Sequence, residues 1–455
     1  MLRKYKIMEY KDKKILIIGL ARSGLAAARL LHRLGANITI TETKPFDMIP
    51  ESAELREMGI RLEKQSGRIF EEDFDLVIKN PGINGNQPFI RQFRDRDIPV
   101  TTEIELGYDV CPDAHYIAIT GTNGKTTTCT LLHKILEKAY PGRAFLSGNI
   151  GVALCDTLLG SGIYDGKCEK PYIVLEISNF QLLDIISFRP EIATIINLAA
   201  DHLDFMGSEY AYYCSKCRIY ENMRDGDVFL KNADDSIISD YTKNIHVKCD
   251  TATFGFGNDA FYRSDGEYIL AGEEKIMPVS EIKIPGKHNI QNILVAVGAA
   301  KKCGVPNEII RQVIADFYGV EHRIEFVAEK NGVRYYNDSK GTNVDATITA
   351  LKAFDKPIIL LAGGFEKGLS FSPMKPYMGN VKQTIAFGAC GERLYRELTA
   401  GKGILVKTMD EALSEAVKIA EPGDIVLLSP TTSSFDQFSC FEERGDKFRE
   451  AVLAL

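Results

Sequence analysis

Short apolar runs recur along this chain, each ending in a glycine or polar turn and followed by a stretch with helical spacing. Runs of four to eight apolar residues bounded by turn signals read as buried strands, and apolar positions three and four apart read as helices packed on them. KILIIG (14–19), the turn Gly19–Gly24, the helix-like LAAARLLHRLG and the strand ANITITE open the series, and DFDLVIKNPGI adds a strand ending at Pro81-Gly82. A second series begins at Tyr116–Ile119 and continues through CTLLHKILEKA, FLSGNIG, PYIVLE and IATIINLAADHLDF, then the helix-like SEYAYYCSKCRIYENM. GFGNDAFYRSDGEYILAGEEKIMPVSEIKI breaks the rhythm: short strands with turns predict an antiparallel appendage, before an apolar helix in IPGKHNIQNILVAVGAAKKCG. The last third alternates VRYYND, PIILLAGG, TIAFGA, GILVK and DIVLLSP with helix-like 346–353 and 411–419. Alternation of this kind predicts an α/β fold of three domains. They span residues 1–107, 108–319 and 320–455; the outer two are Rossmann-like, and the C-terminal sheet is expected to be parallel.

Size and composition agree. At 455 residues the chain exceeds one ordinary domain, and 45% hydrophobic with 26% charged residues are globular values. A net charge of −7 without a long basic block argues against nucleic acid as the main partner. The basic start MLRKYKIMEYKDKK leads into no apolar signal region, and no apolar run is long enough to span a bilayer. Ten scattered cysteines suggest reduced thiols in a cytoplasm. Cys214 and Cys217 have CxxC spacing but no matching second pair, so they read as two small helix residues.

The chemistry is concentrated in IAITGTNGKTTT (117–128). A strand running into glycines, a lysine, a hydroxyl and a helix is how a chain holds nucleotide phosphates, using backbone N–H groups and the positive helix end. Only Thr122 and Asn123 separate Gly121 from Gly124, so the loop is shorter than the usual phosphate loop. Lys125 is placed for the β- and γ-phosphates and Thr126 for Mg²⁺. The central domain is therefore expected to be a P-loop ATPase-type mixed sheet that binds ATP. Glu176, closing PYIVLE, is the first metal candidate, because an acid at the end of a neighbouring strand can reach the same cation.

Other signals are weaker alone. Glu42, about twenty residues past the first glycines, would suit an NAD ribose. Ala21 replaces the middle glycine of that fingerprint, so any nucleotide, or none, fits equally; an NAD-linked oxidoreductase is the reading from another class. His202, among Asp201 and Asp204, reads as a core or substrate-contacting residue as readily as a ligand for a hard cation. Lys216 shares a face with Tyr212, Ile219 and Tyr220; a buried amine can act as a nucleophile toward CO₂, against the simpler reading of a lysine reaching for water. Asn289 and Asn292 can cap a helix or reach a nucleobase edge. Polar residues gather at the strand ends of the last third: 338–343, Gly363-Gly364, Lys367 and 429–435.

Taken together, GTNGKT, SGNIG, LEISNFQL, DHLDF, SKCRIYEN, PGKHNIQN, EHRIEF, NDSKGTN and LLSPTTSSFDQFSCFEERG resemble the Mur ligase superfamily of bacterial cell-wall synthesis over nearly the whole length. The closing stretch looks like that of its D-glutamate-adding members, and no DNPR-like segment of a diamino-acid-adding member is present. The resemblance implies an ATP-dependent amide ligase working through an acyl phosphate. Its ATP contacts would be Gly121, Thr122, Asn123, Gly124, Lys125, Thr126, Thr127, Asn289, Asn292, Arg323, Asp338 and Lys340. It implies two Mg²⁺ sites drawing on Thr126, Glu176, His202 and Lys216, the lysine as a CO₂-derived carbamate, with Lys125, Glu176, His202 and Lys216 carrying the catalysis. Arg22, Ser23, Thr43, Lys44, Gly82, Asn149, Ser178, Gln181 and His202 would meet a UDP-linked substrate, and Thr342, Lys367, Ser434, Phe435 and Phe441 D-glutamate. A cytoplasmic monomer is expected. Asn179, Ala200 and Lys44 depart from the commoner pattern, which often has serine, an acid and arginine there. A sibling wall ligase or a folylpolyglutamate-type ligase is the nearest alternative.

Overall fold

A computed structural model describes residues 9–199, 203–242, 248–368 and 370–455. It divides into two compact units: residues 1–279 with 291–313, and residues 280–290 with 314–455.

The first unit contains two sheets. β1 (Lys14–Ile18), β2 (Asn37–Glu42), β3 (Arg61–Lys64), β4 (Leu76–Lys79) and β5 (Val100–Thr101) form a parallel sheet in the order β3-β2-β1-β4-β5. Ile15 to Ile18 are all buried, as expected of a strand covered on both faces. Helix Arg22–Arg33 buries Ala26, Ala27, Leu30 and Leu31 and, among other helices, covers one of them.

The second sheet has nine strands: β6 (His115–Thr120), β7 (Ala144–Gly148), β8 (Tyr172–Glu176), β9 (Ile192–Ile195), β10 (Val228–Asn232), β11 (Asp250–Gly255), β12 (Tyr262–Ser264), β13 (Tyr268–Ala271) and β14 (Glu274–Pro278). Their order is β14-β13-β12-β11-β10-β9-β6-β8-β7, parallel except for the antiparallel β12-β13-β14 end. That end is the appendage the broken rhythm predicts, and it makes the sheet mixed. One apolar core runs through both sheets, from Ile15 and Leu30 to Leu154, Leu175 and Phe229. The two are thus packed as a single body.

The second unit carries β15 (Glu325–Lys330), β16 (Val333–Asn337), β17 (Ile358–Gly363), β18 (Val381–Phe387), β19 (Ile404–Leu405) and β20 (Ile425–Thr431), in the order β15-β16-β20-β17-β18-β19. All seven residues of β20 are buried, because separate apolar clusters cover the two faces. The expectation of a wholly parallel sheet needs one correction: β15 pairs antiparallel with β16. Asn331 and Gly332 join them with φ of 53° and 76°, the two left-handed residues of a tight hairpin.

Candidate functional site

The loop between β6 and helix Lys125–Ala139 gathers the first unit's candidate residues around it. Gly124 caps the helix at φ 83°, and a Cβ there would collide with the Asn292 side-chain oxygen. Only glycine lets the turn pass beneath that asparagine. Thr122 N donates to Asn197 O (3.0 Å) and Asn123 N to Asn197 Oδ1 (2.8 Å). Lys125 lies back over the turn, its Nζ donating to Gly121 O (2.8 Å) and Thr122 O (2.9 Å).

Parallel register sets Ile119 beside Glu176, bringing the end of β8 level with the start of the loop. The buried Glu176 carboxylate accepts from Thr126 Oγ1 at 2.9 Å and from Asn149 Nδ2 at 2.8 Å, one bond on each oxygen. Asn149 N also donates to Glu176 O (2.8 Å). Lys216 arrives on helix Glu209–Cys217 with 1% exposure; its Nζ donates to Gly121 O (2.9 Å) and lies 4.7 Å from the centre of the Tyr212 ring. Lys125, Thr126, Glu176, Asn149 and Lys216 are therefore brought to one loop. A hydroxyl and a carboxylate are hard oxygen donors and suit Mg²⁺. Thr127 is buried on the same helix. Ser178 and Gln181, just beyond β8, form a reciprocal capping pair on the short helix Asn179–Leu182. His202 falls outside the described residues.

In the first sheet a cavity of about 560 Å³ opens at the strand ends, lined by Thr43, Lys44, Gly82, Asn80, Gln65 and Met48 among others. Glu42 sits on its wall with both oxygens taken: Oε2 by Leu20 N (2.9 Å), Oε1 by Thr43 N (2.7 Å). Burial raises its pKa, but the amides of Leu20 and Thr43, the Thr43 hydroxyl and the Lys44 amide outweigh this and hold it below the ordinary value. A carboxylate so engaged braces its own turn. Arg22, at the start of helix Arg22–Arg33, turns to the neighbouring sheet and donates to Gly151 O (2.7 Å), Gly148 O (3.0 Å) and Asn149 O (2.9 Å).

The second unit has its own polar group at its strand ends. Asp338 is buried, accepting from Ser429 Oγ (2.7 Å) and Ile324 N (3.2 Å), and burial raises its pKa to about 7. The positive charge of Arg323 acts against that rise. Lys367 Nζ donates to Thr342 O (3.3 Å), and Lys340 Nζ lies 5.7 Å from the centre of the Phe441 ring. Ser434 is buried with no hydrogen-bond partner for its hydroxyl among the described residues, whereas Phe435 is 67% exposed. Asn289 donates its side-chain amide to Pro285 O (2.6 Å).

Comparison with known proteins accounts for this arrangement. The description "Mur ligase middle domain" matches residues 119–300, and "Mur ligase, glutamate ligase domain" matches residues 322–432. The UDP-N-acetylmuramoylalanine–D-glutamate ligase of Geobacillus sp. (strain WCH70) is 41% identical over 456 residues, covering 98% of each chain. The chain belongs to the Mur ligase family. The ligase of the same name from Listeria innocua is 40% identical over 460 residues, covering 99% of this chain and 98% of its own. Among solved structures, the MurF ligase of Thermotoga maritima in complex with ADP aligns with a TM-score of 0.54 at 16% identity, covering 92% of this chain and 95% of its own. The same organism's UDP-N-acetylmuramate-alanine ligase MurC reaches 0.56 at 18%, covering 97% and 99%. At such identities these two speak for the Mur ligase fold alone.

Several residues of this Mur ligase gain a part that the sequence reading did not give them. Asn197 holds two amides of the phosphate loop, yet nothing in its spacing marks it. Arg444 is fully buried and donates to Ser339 Oγ (2.9 Å), Ser339 O (2.8 Å) and Thr432 O (3.2 Å), fastening two strand-end loops together. Its position within FEERG was the available signal. The glycine of that motif has a steric reason: a Cβ on Gly445 would strike the His322 ring.

Proposed function

We propose that this ligase joins D-glutamate to UDP-N-acetylmuramoyl-L-alanine with ATP, a step of peptidoglycan precursor synthesis. The observation that carries the reading is the Thr126–Glu176 pair beside Lys125, in a chain alignable end to end with ligases of that name. The substrate's alanyl carboxylate attacks the γ-phosphorus; an O–P bond forms, the β–γ bridge breaks and ADP leaves. The D-glutamate amine then attacks the acyl carbon, and the tetrahedral intermediate loses phosphate and a proton to give the amide. Charge on the transferring phosphoryl is dispersed, so the protein's task is to position and neutralise.

The glycine loop Gly121–Gly124 and Thr127 cradle the phosphates, and Lys125 leaves its loop carbonyls for the γ-phosphate. Thr126 and Glu176 would hold one Mg²⁺, and His202 with a carbamylated Lys216 a second; the ions would supply charge neutralisation. The first sheet's cavity takes the UDP moiety through Ser23, Thr43, Lys44 and Gly82; Asn149, Ser178 and Gln181 serve the muramoyl-alanyl portion. Asn289, Asn292, Arg323, Asp338 and Lys340 are further nucleotide contacts in this reading. Thr342, Lys367, Ser434, Phe435 and Phe441 serve D-glutamate, with Lys367 pairing a carboxylate. This reading treats 1–107, 108–319 and 320–455 as three functional domains of a cytoplasmic monomer. Among the described residues no helix is long and apolar enough to cross a membrane.

The test is ATP-dependent phosphate release with UDP-N-acetylmuramoyl-L-alanine and single amino acids. Release with D-glutamate alone supports the assignment, and release with L-alanine or a diamino acid overturns it. For Lys216, carbamylation joins its neutral Nζ to the carbon of CO₂ and sheds one proton. Lys216→Ala should cut turnover by about 10³-fold, with partial recovery in acetate, and ¹³C-bicarbonate should give a carbamate resonance that the variant lacks. Full activity in the variant removes that role.

A further inference from the structure

The Arg22 guanidinium is an arrangement that the reaction described above leaves unexplained. It sits at the first turn of helix Arg22–Arg33, the position where a phosphate contact is expected, yet its hydrogen bonds go to three carbonyls of one loop in the neighbouring sheet: Gly148, Asn149 and Gly151. That loop is a tight turn held at both faces. Gly148 and Gly151 have φ of 100° and 65°, and it is closed by Gly148 N to Val152 O (3.0 Å) and Ser147 Oγ to Val152 O (2.9 Å). Its other face presses on the end of β8: a Cβ on Gly148 would collide with Glu176 O, and Asn149 bonds Glu176 through both its backbone N and its side-chain amide.

A continuous chain of bonds therefore runs from Arg22 through the loop carbonyls to Asn149 Nδ2, on to Glu176 Oε1, and from Glu176 Oε2 to Thr126. We infer that Arg22 is a positioning residue for the cation-holding carboxylate: it clamps the 148–151 loop so that Asn149 fixes the rotamer of Glu176, and it does not serve as a contact for the UDP-linked substrate. Three donors of one planar fork reach three carbonyls at once; a lysine ammonium, with a single point of attachment, would not reproduce that clamp. Groups that orient a metal ligand from behind typically change metal affinity by 10–100-fold when lost. Arg22 acts one step further out, so about tenfold is expected. The inference rests on the assignment of Thr126 and Glu176 to the cation.

The test compares wild type with Arg22→Met, Arg22→Lys, Asn149→Ala and the Arg22→Met/Asn149→Ala double variant. Mn²⁺ binding in the presence of ADP is followed by electron paramagnetic resonance, UDP-N-acetylmuramoyl-L-alanine binding without nucleotide by calorimetry, and folding by thermal unfolding. Arg22→Met should weaken Mn²⁺ binding about tenfold, Arg22→Lys should recover little of it, and the substrate affinity should stay within about twofold of wild type. Adding Arg22→Met to Asn149→Ala should cost nothing further for Mn²⁺, because the two act through one carboxylate. Unchanged Mn²⁺ affinity with weakened substrate binding, or additive losses in the double variant, would overturn the inference while leaving the ligase reading intact. A wild-type protein that holds no Mn²⁺ with ADP would overturn both.

Discussion

The first and second sheets of this ligase each offer a strand, a glycine turn, a helix and a glutamate closing an adjacent strand, and they use that glutamate in opposite ways. Glu42 is held mainly by backbone amides, Leu20 N and Thr43 N, with the Thr43 hydroxyl beside them, so most of its bonds are built into the shape of the turn. Glu176 is held on its side-chain oxygens by two side chains: Asn149, which steadies one oxygen, and Thr126 on the other, whose hydroxyl can turn toward another partner. A carboxylate satisfied mostly by main chain is tied to its turn; one with an oxygen that meets only a hydroxyl can exchange that partner for a cation without unfolding anything. Similar local patterns therefore separate into a braced turn and a candidate cation site according to what meets the acid.

The largest break in that comparison should come from Glu176→Gln. Turnover is expected to fall by about 10²–10³-fold, with the thermal midpoint little changed, measured by ADP release and by calorimetry. A loss below tenfold would place the acid outside the chemistry. Glu42→Gln should do the reverse. Charge-assisted bonds to backbone amides contribute on the order of 1–2 kcal/mol, reduced because this side chain is partly solvated. The variant should unfold earlier and raise the KM for the UDP-linked substrate while kcat holds; a kcat collapse would erase the distinction.

A third glutamate sharpens the contrast with the smallest effect. Glu103 is fully buried; Cys155 N donates to its Oε2 at 3.2 Å, and its Oε1 finds no partner among the described residues. Burial lifts its pKa from 4.5 to about 7, and the bonds from Cys155 offset only part of that rise. The folded state thus binds this proton more tightly than the unfolded chain, so stability falls as pH rises from about 4.5 through about 7 and then levels off. Glu103→Gln should match wild type near pH 5 and unfold roughly 2–4 °C later at pH 8. Equal midpoints at both pH values would show that the acid titrates normally.

How much of this was legible beforehand follows from the range of each signal. The phosphate loop, Glu176 and the strands of the last third are written in contiguous residues, and the structure forms those elements where the pattern put them. The β15–β16 hairpin was equally available, since an Asn-Gly pair between strand-like runs announces it, but the alternation of strands and helices drew attention to parallel crossovers instead. Asn197, Arg444 and the direction taken by Arg22 lay beyond any local pattern. Each acts on residues far away in sequence, and only the assembled fold says which carbonyl or hydroxyl a long side chain will meet.

The asparagine above Gly124 has a bearing on how the protein is made. Asn292 belongs to a helix that leaves the ribosome long after the glycine loop it roofs. Until that helix docks, the turn keeps its bonds to Asn197 but lacks this roof, so a nascent chain stopped short of it should hold a nucleotide less tightly than the whole protein does. Full grip on a nucleotide would then come late in synthesis, with the helix that carries Asn292.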